Sequence, residues 1–180
     1  MNGLLEGNQL RGGWLRWLVW GGALALWLAP WVAMRLQAEG VHWTALDFAV
    51  AGGLLLAGCI GFEVAVRLAR DNAYVLAMGI AVGLAFLTTW ANLAVGIVGS
   101  EDNPVNQGFF LVLAFAFVAA LAARFRPAGM ALAMRLAALA QLGFALWLWL
   151  AGHGHAWVFS GFACAAWLVS GELFARSRGR

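Results

Sequence analysis

The residues of this 180-residue chain whose types could ligate a metal or carry protons include His42, His153 and His155, together with the carboxylates Glu39, Asp47, Glu101 and Asp102. These fall between or at the ends of apolar runs. Imidazole with carboxylate is a ligand set for a divalent transition metal, which makes His42, His153 and His155 candidate metal ligands. His-Gly-His has no fixed geometry, however, and loops collect polar residues in any fold. Several of the same residues have structural duties open to them. Thr44-x-x-Asp47 reads as a capping box that opens a helix. Asp102-Asn103-Pro104 reads as a turn whose side chains accept hydrogen bonds from backbone amides.

A second chemistry is solute binding. Asn92, flanked by Thr88, Thr89 and Trp90 near the end of an apolar run, would form the floor of a pocket whose walls carry Asp47, Glu101, Asp102, Asn103 and Asn106. The competing duty for Asn92 is a hydrogen bond to a neighbouring helix. Two further carboxylates, Glu63 and Glu172, lie inside apolar runs, each four residues before an arginine, Arg67 and Arg176. On a helix that spacing gives ion pairs whose long side chains snorkel to the membrane surface. No histidine occupies the interior of an apolar run, as the axial ligand of a membrane haem would require. No Ser-His-Asp arrangement, Gly-x-x-x-x-Gly-Lys loop or His-Glu-x-x-His helix occurs, so neither a catalytic residue nor a cofactor is expected.

The elements that must position these residues follow from composition. The chain is 64% hydrophobic and only 11% charged, with a mean hydropathy of +0.84. A soluble domain of this size needs a far more polar exterior. At about 20 apolar residues per crossing, six spans emerge, at about 14–36, 45–68, 74–99, 108–124, 130–151 and 156–175. The expectation is an all-α, polytopic transmembrane helical bundle forming one domain over 1–180, with short loops that make successive helices antiparallel neighbours. The first run, from Trp17 to Met34, is longer than a signal-peptide core and lacks a small-x-small cleavage site, so it reads as a retained helix.

The calculated pI is about 9.7, yet the net charge is only +3 and every basic residue is Arg. These arginines sit beside apolar runs as topology signals, which argues against nucleic acid as a partner and for the lipid bilayer. With the N-terminus inside, Arg11, Arg16, Arg67, Arg70, Arg124, Arg126, Arg135, Arg176, Arg178 and Arg180 are cytoplasmic and only Arg35 is outside. Six spans then place both termini in the cytoplasm. Trp14, Trp17 and Trp20 fall at the inner interface, and Trp31, Trp43, Trp147, Trp149 and Trp157 at the outer one, as an aromatic belt requires. Cys59 and Cys164 lie in apolar runs, in no thiol redox or zinc pattern. Small residues at four-residue spacing, Gly53 to Ala69 in the second span and Ala77 to Thr89 beside Gly79-x-x-x-Gly83 in the third, mark the expected packing seam.

The run from Trp90 to Asn106, Trp-Ala-Asn-Leu-Ala-Val-Gly-Ile-Val-Gly-Ser-Glu-Asp-Asn-Pro-Val-Asn, resembles the hallmark of a family of small bacterial inner-membrane proteins of uncharacterised function. The segments Thr44–Phe48 and Phe62–Arg67 resemble that family's ends of the second helix. The resemblance covers mainly 44–127 and implies a bacterial inner membrane, with no activity attached. The expected function is a non-enzymatic small-solute binding or permeation unit, or an accessory subunit that associates with other membrane subunits or with itself. A purely structural or interaction protein is the second reading, and a metal-binding membrane enzyme using the histidines and carboxylates of the outer face is the third.

Overall fold

A computed structural model of the chain describes residues 13–69 and 71–177, with the backbone alone at 155. Among the described residues there is no strand. The long helices are α1 (Gly13–Arg35), α2 (Ala45–Leu68), α3 (Asn72–Ala94), α4 (Gln107–Ala122), α5 (Pro127–Leu150) and α6 (Trp157–Arg176). Single 3-10 turns, Pro104–Asn106 and Gly154–Ala156, lead into α4 and α6. All six, α4 taken with the turn that precedes it, are long and apolar enough to cross a membrane. Of the topology arginines, Arg11, Arg70, Arg178 and Arg180 lie outside the described residues.

The helix limits fall close to the expected spans except at the end of α3. Apolarity carries the expected span to 99, whereas the helix stops at Ala94. Gly96 and Gly99 adopt φ of +74° and +70°, and the amides of Val95 and Gly96 both return to the Ala91 carbonyl. A glycine in the left-handed region just past the last turn is a helix stop. The apolar residues between the two glycines serve packing outside the helix. At the start of α2 the capping box is formed: Asp47 accepts from the Thr44 amide at 2.7 Å and from its hydroxyl at 2.8 Å. Asp71 caps α3 by accepting from the Tyr74 amide at 2.9 Å.

The chain divides into two compact units, the first ending at Arg67 and the second beginning at Leu68. In the first, α1 and α2 form an antiparallel hairpin. Arg16, near the start of α1, donates to Glu63, near the end of α2, at 2.8 Å. Farther along, the Trp27 indole N–H donates to the Phe48 carbonyl at 2.9 Å. Gly52 leaves room for that indole, since a β-carbon there would meet its nitrogen at 2.9 Å. No residue of α1 is buried.

In the second unit α6 packs on both α5 and α3, α5 packs on α4 as well, and α3 touches α4 only slightly. Successive helices are thus neighbours at α4–α5 and α5–α6, but α3 finds its main neighbour in α6. The segment 95–106 between α3 and α4 is the longest connection of the unit and does not force the two helices together. The α3–α6 seam is built on small or flat surfaces. The Ser170 hydroxyl donates to the Ala77 carbonyl at 2.8 Å, and Tyr74 meets Phe174 edge to face at 5.0 Å. Ala77 and Ala81 are buried here, while Gly79 and Gly83 are exposed and lie off the seam. Between α5 and α6, Gly171 sits so close to the Ala131 carbonyl that a β-carbon would approach it to 3.3 Å. Small side chains permit this close backbone approach.

The turn joining α4 to α5 puts Arg124 and Phe125 at φ of +50° and +55°, a region that residues with a β-carbon rarely adopt. The Tyr74 hydroxyl holds this turn by donating to the Phe125 carbonyl at 2.8 Å. Tyr74→Phe keeps the aromatic contact with Phe174 and removes only the hydroxyl. It is expected to cost about 1–2 kcal/mol by leaving a part-buried carbonyl unmatched. Thermal unfolding in detergent measures this, and an unchanged midpoint would show that the bond does not secure the turn.

Candidate functional site

The polar residues singled out at one end of the second unit belong mostly to the segment 95–106, and its local chemistry decides what they do. Asn103 accepts from the Val105 amide at 3.0 Å, which starts the 3-10 turn at Pro104. Asn106 is buried and holds the loop from inside. Its Oδ1 accepts from the Val98 amide at 2.8 Å, and its Nδ2 donates to the carbonyls of Ser100 at 2.8 Å and Val98 at 3.3 Å. One side-chain amide thereby supplies the partners that a strand or helix would otherwise give to an irregular buried backbone. Gly96 must lack a side chain, because a β-carbon there would collide with the Ser100 backbone.

The clamp turns Val98 inward. Val98 is 1% exposed and packs in a cluster with Phe109, Leu148 and Ala156, flanked by Phe144 and Phe159. Phe109 meets Phe144 and Phe159 edge to face at 5.0 and 5.6 Å. Gly108 lets the Phe144 ring in, since any β-carbon there would run into it. The loop is a plug over the end of the four-helix unit.

The candidate solute ligands are therefore distributed over several duties. Asn103 and Asn106 are brought together, but toward the loop's own backbone. Glu101 and Asp102 are exposed at its tip. Asn92 is 2% exposed within α3, its Nδ2 donating to the Thr88 carbonyl at 2.8 Å. Asp47 is held in the capping box of α2, in the first unit. An open groove of about 550 Å³ does run between α4 and α5, but apart from Gln107 its lining is apolar, with Leu111, Phe115, Phe144 and Trp147 among its walls.

The carboxylates Glu63 and Glu172 are paired more widely than their sequence spacing suggests. Glu63 accepts from Arg67 at 3.0 Å as expected, and the same oxygen takes Arg16 of α1. Glu172 is held by Arg135 of α5, through Nη2 at 2.7 Å and Nε at 3.2 Å. This corrects the expected partner, Arg176, which is exposed and takes part in none of the ion pairs found among the described residues. The forked guanidinium of Arg135 offers two donors from a facing helix, a better geometry than a one-turn reach along α6. Arg135 and Arg16 lie 37 and 47 residues from their partners, so no local spacing announces them.

Of the candidate metal ligands, His42 is exposed just before α2 and His153 is half-buried in the α5–α6 turn, while the side chain of His155 lies outside the described residues. Among the described residues no three His, Cys, Asp or Glu side chains gather where they could hold a metal ion.

The loop geometry separates Asn106 sharply from Asp102. Asn106→Ala strands the Val98 amide and two carbonyls and is expected to destabilise the protein by about 3 kcal/mol. Asp102→Ala removes an exposed tip charge and should stay within about 0.5 kcal/mol. Thermal unfolding of both variants in one detergent tests the contrast, and equal effects would mean that the clamp is not what closes the loop. Compared with family models, curated proteins and solved structures, the chain matches none of them.

Proposed function

We propose that the protein is a non-enzymatic multi-pass membrane protein, with six spans and both termini in the cytoplasm, that acts as an accessory or scaffolding subunit by lateral association within the bilayer. The observation that carries this reading is the plugged end of the second unit. Asn103 and Asn106, two of the candidate ligands for an outward-facing solute pocket, are committed to the loop's own backbone.

The outside of the helices supports lateral association. α1 presents Trp17, Leu18, Leu24 and Leu26 among its exposed side chains, a surface that suits lipid or another apolar helix rather than water. The orientation rests on the placement of the arginines. In the second unit Arg124, Arg126, Arg135 and Arg176 gather at one end of α4, α5 and α6, and in the first unit Arg16 stands near the start of α1 and Arg35 at its end, where it folds over Trp31 at 5.3 Å. Localisation in a bacterial inner membrane rests on the resemblance of the segment 90–106.

Copurification from native membranes in mild detergent, after cross-linking, is expected to retain a stoichiometric membrane partner or a second copy of the chain. A partnerless monomer that conducts a solute in proteoliposomes would return the permeation reading to first place. In the same membranes an impermeant maleimide should label Asp102→Cys in intact cells and Arg126→Cys only after permeabilisation, and the reverse pattern would overturn the orientation.

A further inference from the structure

Beneath the plug, three buried side chains on three different helices each carry a polar atom with no hydrogen-bond partner: Asn92 Oδ1 on α3, Gln141 Nε2 on α5 and Ser160 Oγ on α6. Their residues are 2%, 3% and 1% exposed. The register of the helices brings them together. Ser170 bonds Ala77, so ten residues along each antiparallel helix Ser160 stands opposite residue 87, beside Thr88. The Cys164 thiol reaches the Ala138 carbonyl at 3.6 Å, and four residues farther along each helix Ser160 stands opposite residue 142, beside Gln141. Asn92 lies one turn above Thr88 and already reaches down to its carbonyl.

The three atoms are chemically complementary. Asn92 offers an acceptor, Gln141 a donor, and Ser160 a hydroxyl that can act as either. Polar groups with no water or partner in an apolar interior are strongly disfavoured, which is why buried polar sites of this kind hold water when two to four groups converge. Among the described residues no Asp, Glu, Arg or His is buried, and the mixture of donor and acceptor suits an uncharged guest rather than a cation.

We infer that Asn92, Gln141 and Ser160 form an occluded binding site for a small uncharged molecule that both donates and accepts hydrogen bonds, water being the smallest such guest, sealed at one end by the Val98 plug. The guest donates to Asn92 Oδ1 and accepts from Gln141 Nε2 or Ser160 Oγ, linking α3, α5 and α6. Phe144 and Phe159, which pack against the plug cluster, lie three residues beyond Gln141 on α5 and one residue before Ser160 on α6, between those residues and the cluster along each helix. This site is independent of lateral association, because it lies inside one unit.

The test is nuclear magnetic resonance of the full chain in lipid nanodiscs, with glutamine and asparagine side-chain amides labelled. The expected result is a cross-peak from a long-lived water to the Gln141 amide protons, its assignment confirmed by loss of that amide resonance in Gln141→Leu. In Asn92→Leu the water contact should disappear, and in Val98→Gly exchange of the Gln141 amide with deuterated solvent should accelerate. Added formamide that shifts both amides in a saturable way would show that a small organic amide also enters, and no response would restrict the guest to water. A wild-type spectrum with no water contact and a direct contact between the Asn92 and Gln141 side chains would overturn the site, whatever the variants do.

Discussion

An apolar surrounding supplies no hydrogen bonds, so on the membrane-spanning reading proposed above every backbone amide and carbonyl of the spans must find its partner inside the protein. Helices meet that requirement for most of the sequence. The informative places are those where the backbone leaves the helix, because there a side chain has to replace the missing ladder. Asn106 does so for the plug and Tyr74 for the Arg124–Phe125 turn. Both residues are nearly inaccessible to solvent, and both turn an irregular segment into one that can be buried.

The same requirement explains how the polar side chains are distributed. Ser170 reaches across the α3–α6 seam to a backbone carbonyl, and Arg135 and Glu172 join α5 to α6 near the opposite end from the plug. In the first unit Glu63 gathers two guanidinium groups on one oxygen and fixes one end of the α1–α2 hairpin. Where lipid gives no hydrophobic drive for helices to meet, as the proposed membrane setting implies, such contacts and close packing of small residues are what select one arrangement over another.

Much of this was legible in the sequence, for identifiable reasons. Each apolar run became a helix, because length and hydropathy act through a single segment. Thr44 and Asp47 formed their capping box, and Asn103 its turn, because those interactions span only two or three residues. The end of α3 was misplaced because Gly96-Ile97-Val98-Gly99 is as apolar as a helix, and apolarity does not say that a valine faces inward from a loop. The pairing of Glu172 with Arg135, and the adjacency of α3 to α6, depend on which helices meet and leave no trace in local spacing. Gln141 is the one amide in the run from Pro127 to Leu150, a signal that could have been read, but Ser160 and Asn92 are ordinary until the register sets Ser160 beside Gln141 and Thr88, with Asn92 one turn above.

The resemblance segment then acquires a physical meaning. Gly96 and Gly99 supply the two left-handed positions, Val98 the apolar plug, Asn103 and Pro104 the start of the 3-10 turn, and Asn106 the clamp. Its two charged residues, Glu101 and Asp102, stand outside this construction, at the exposed tip. A loop required only to connect α3 to α4 would need none of these constraints and could remain polar throughout. Building one that instead drives a valine between Phe109, Leu148 and Ala156 makes sense where something beneath it has to be kept from exchange with bulk water. The unmatched polar atoms of Asn92, Gln141 and Ser160 lie in that half of the bundle, so the strict chemistry of the loop and the buried layer below it read as two parts of one device.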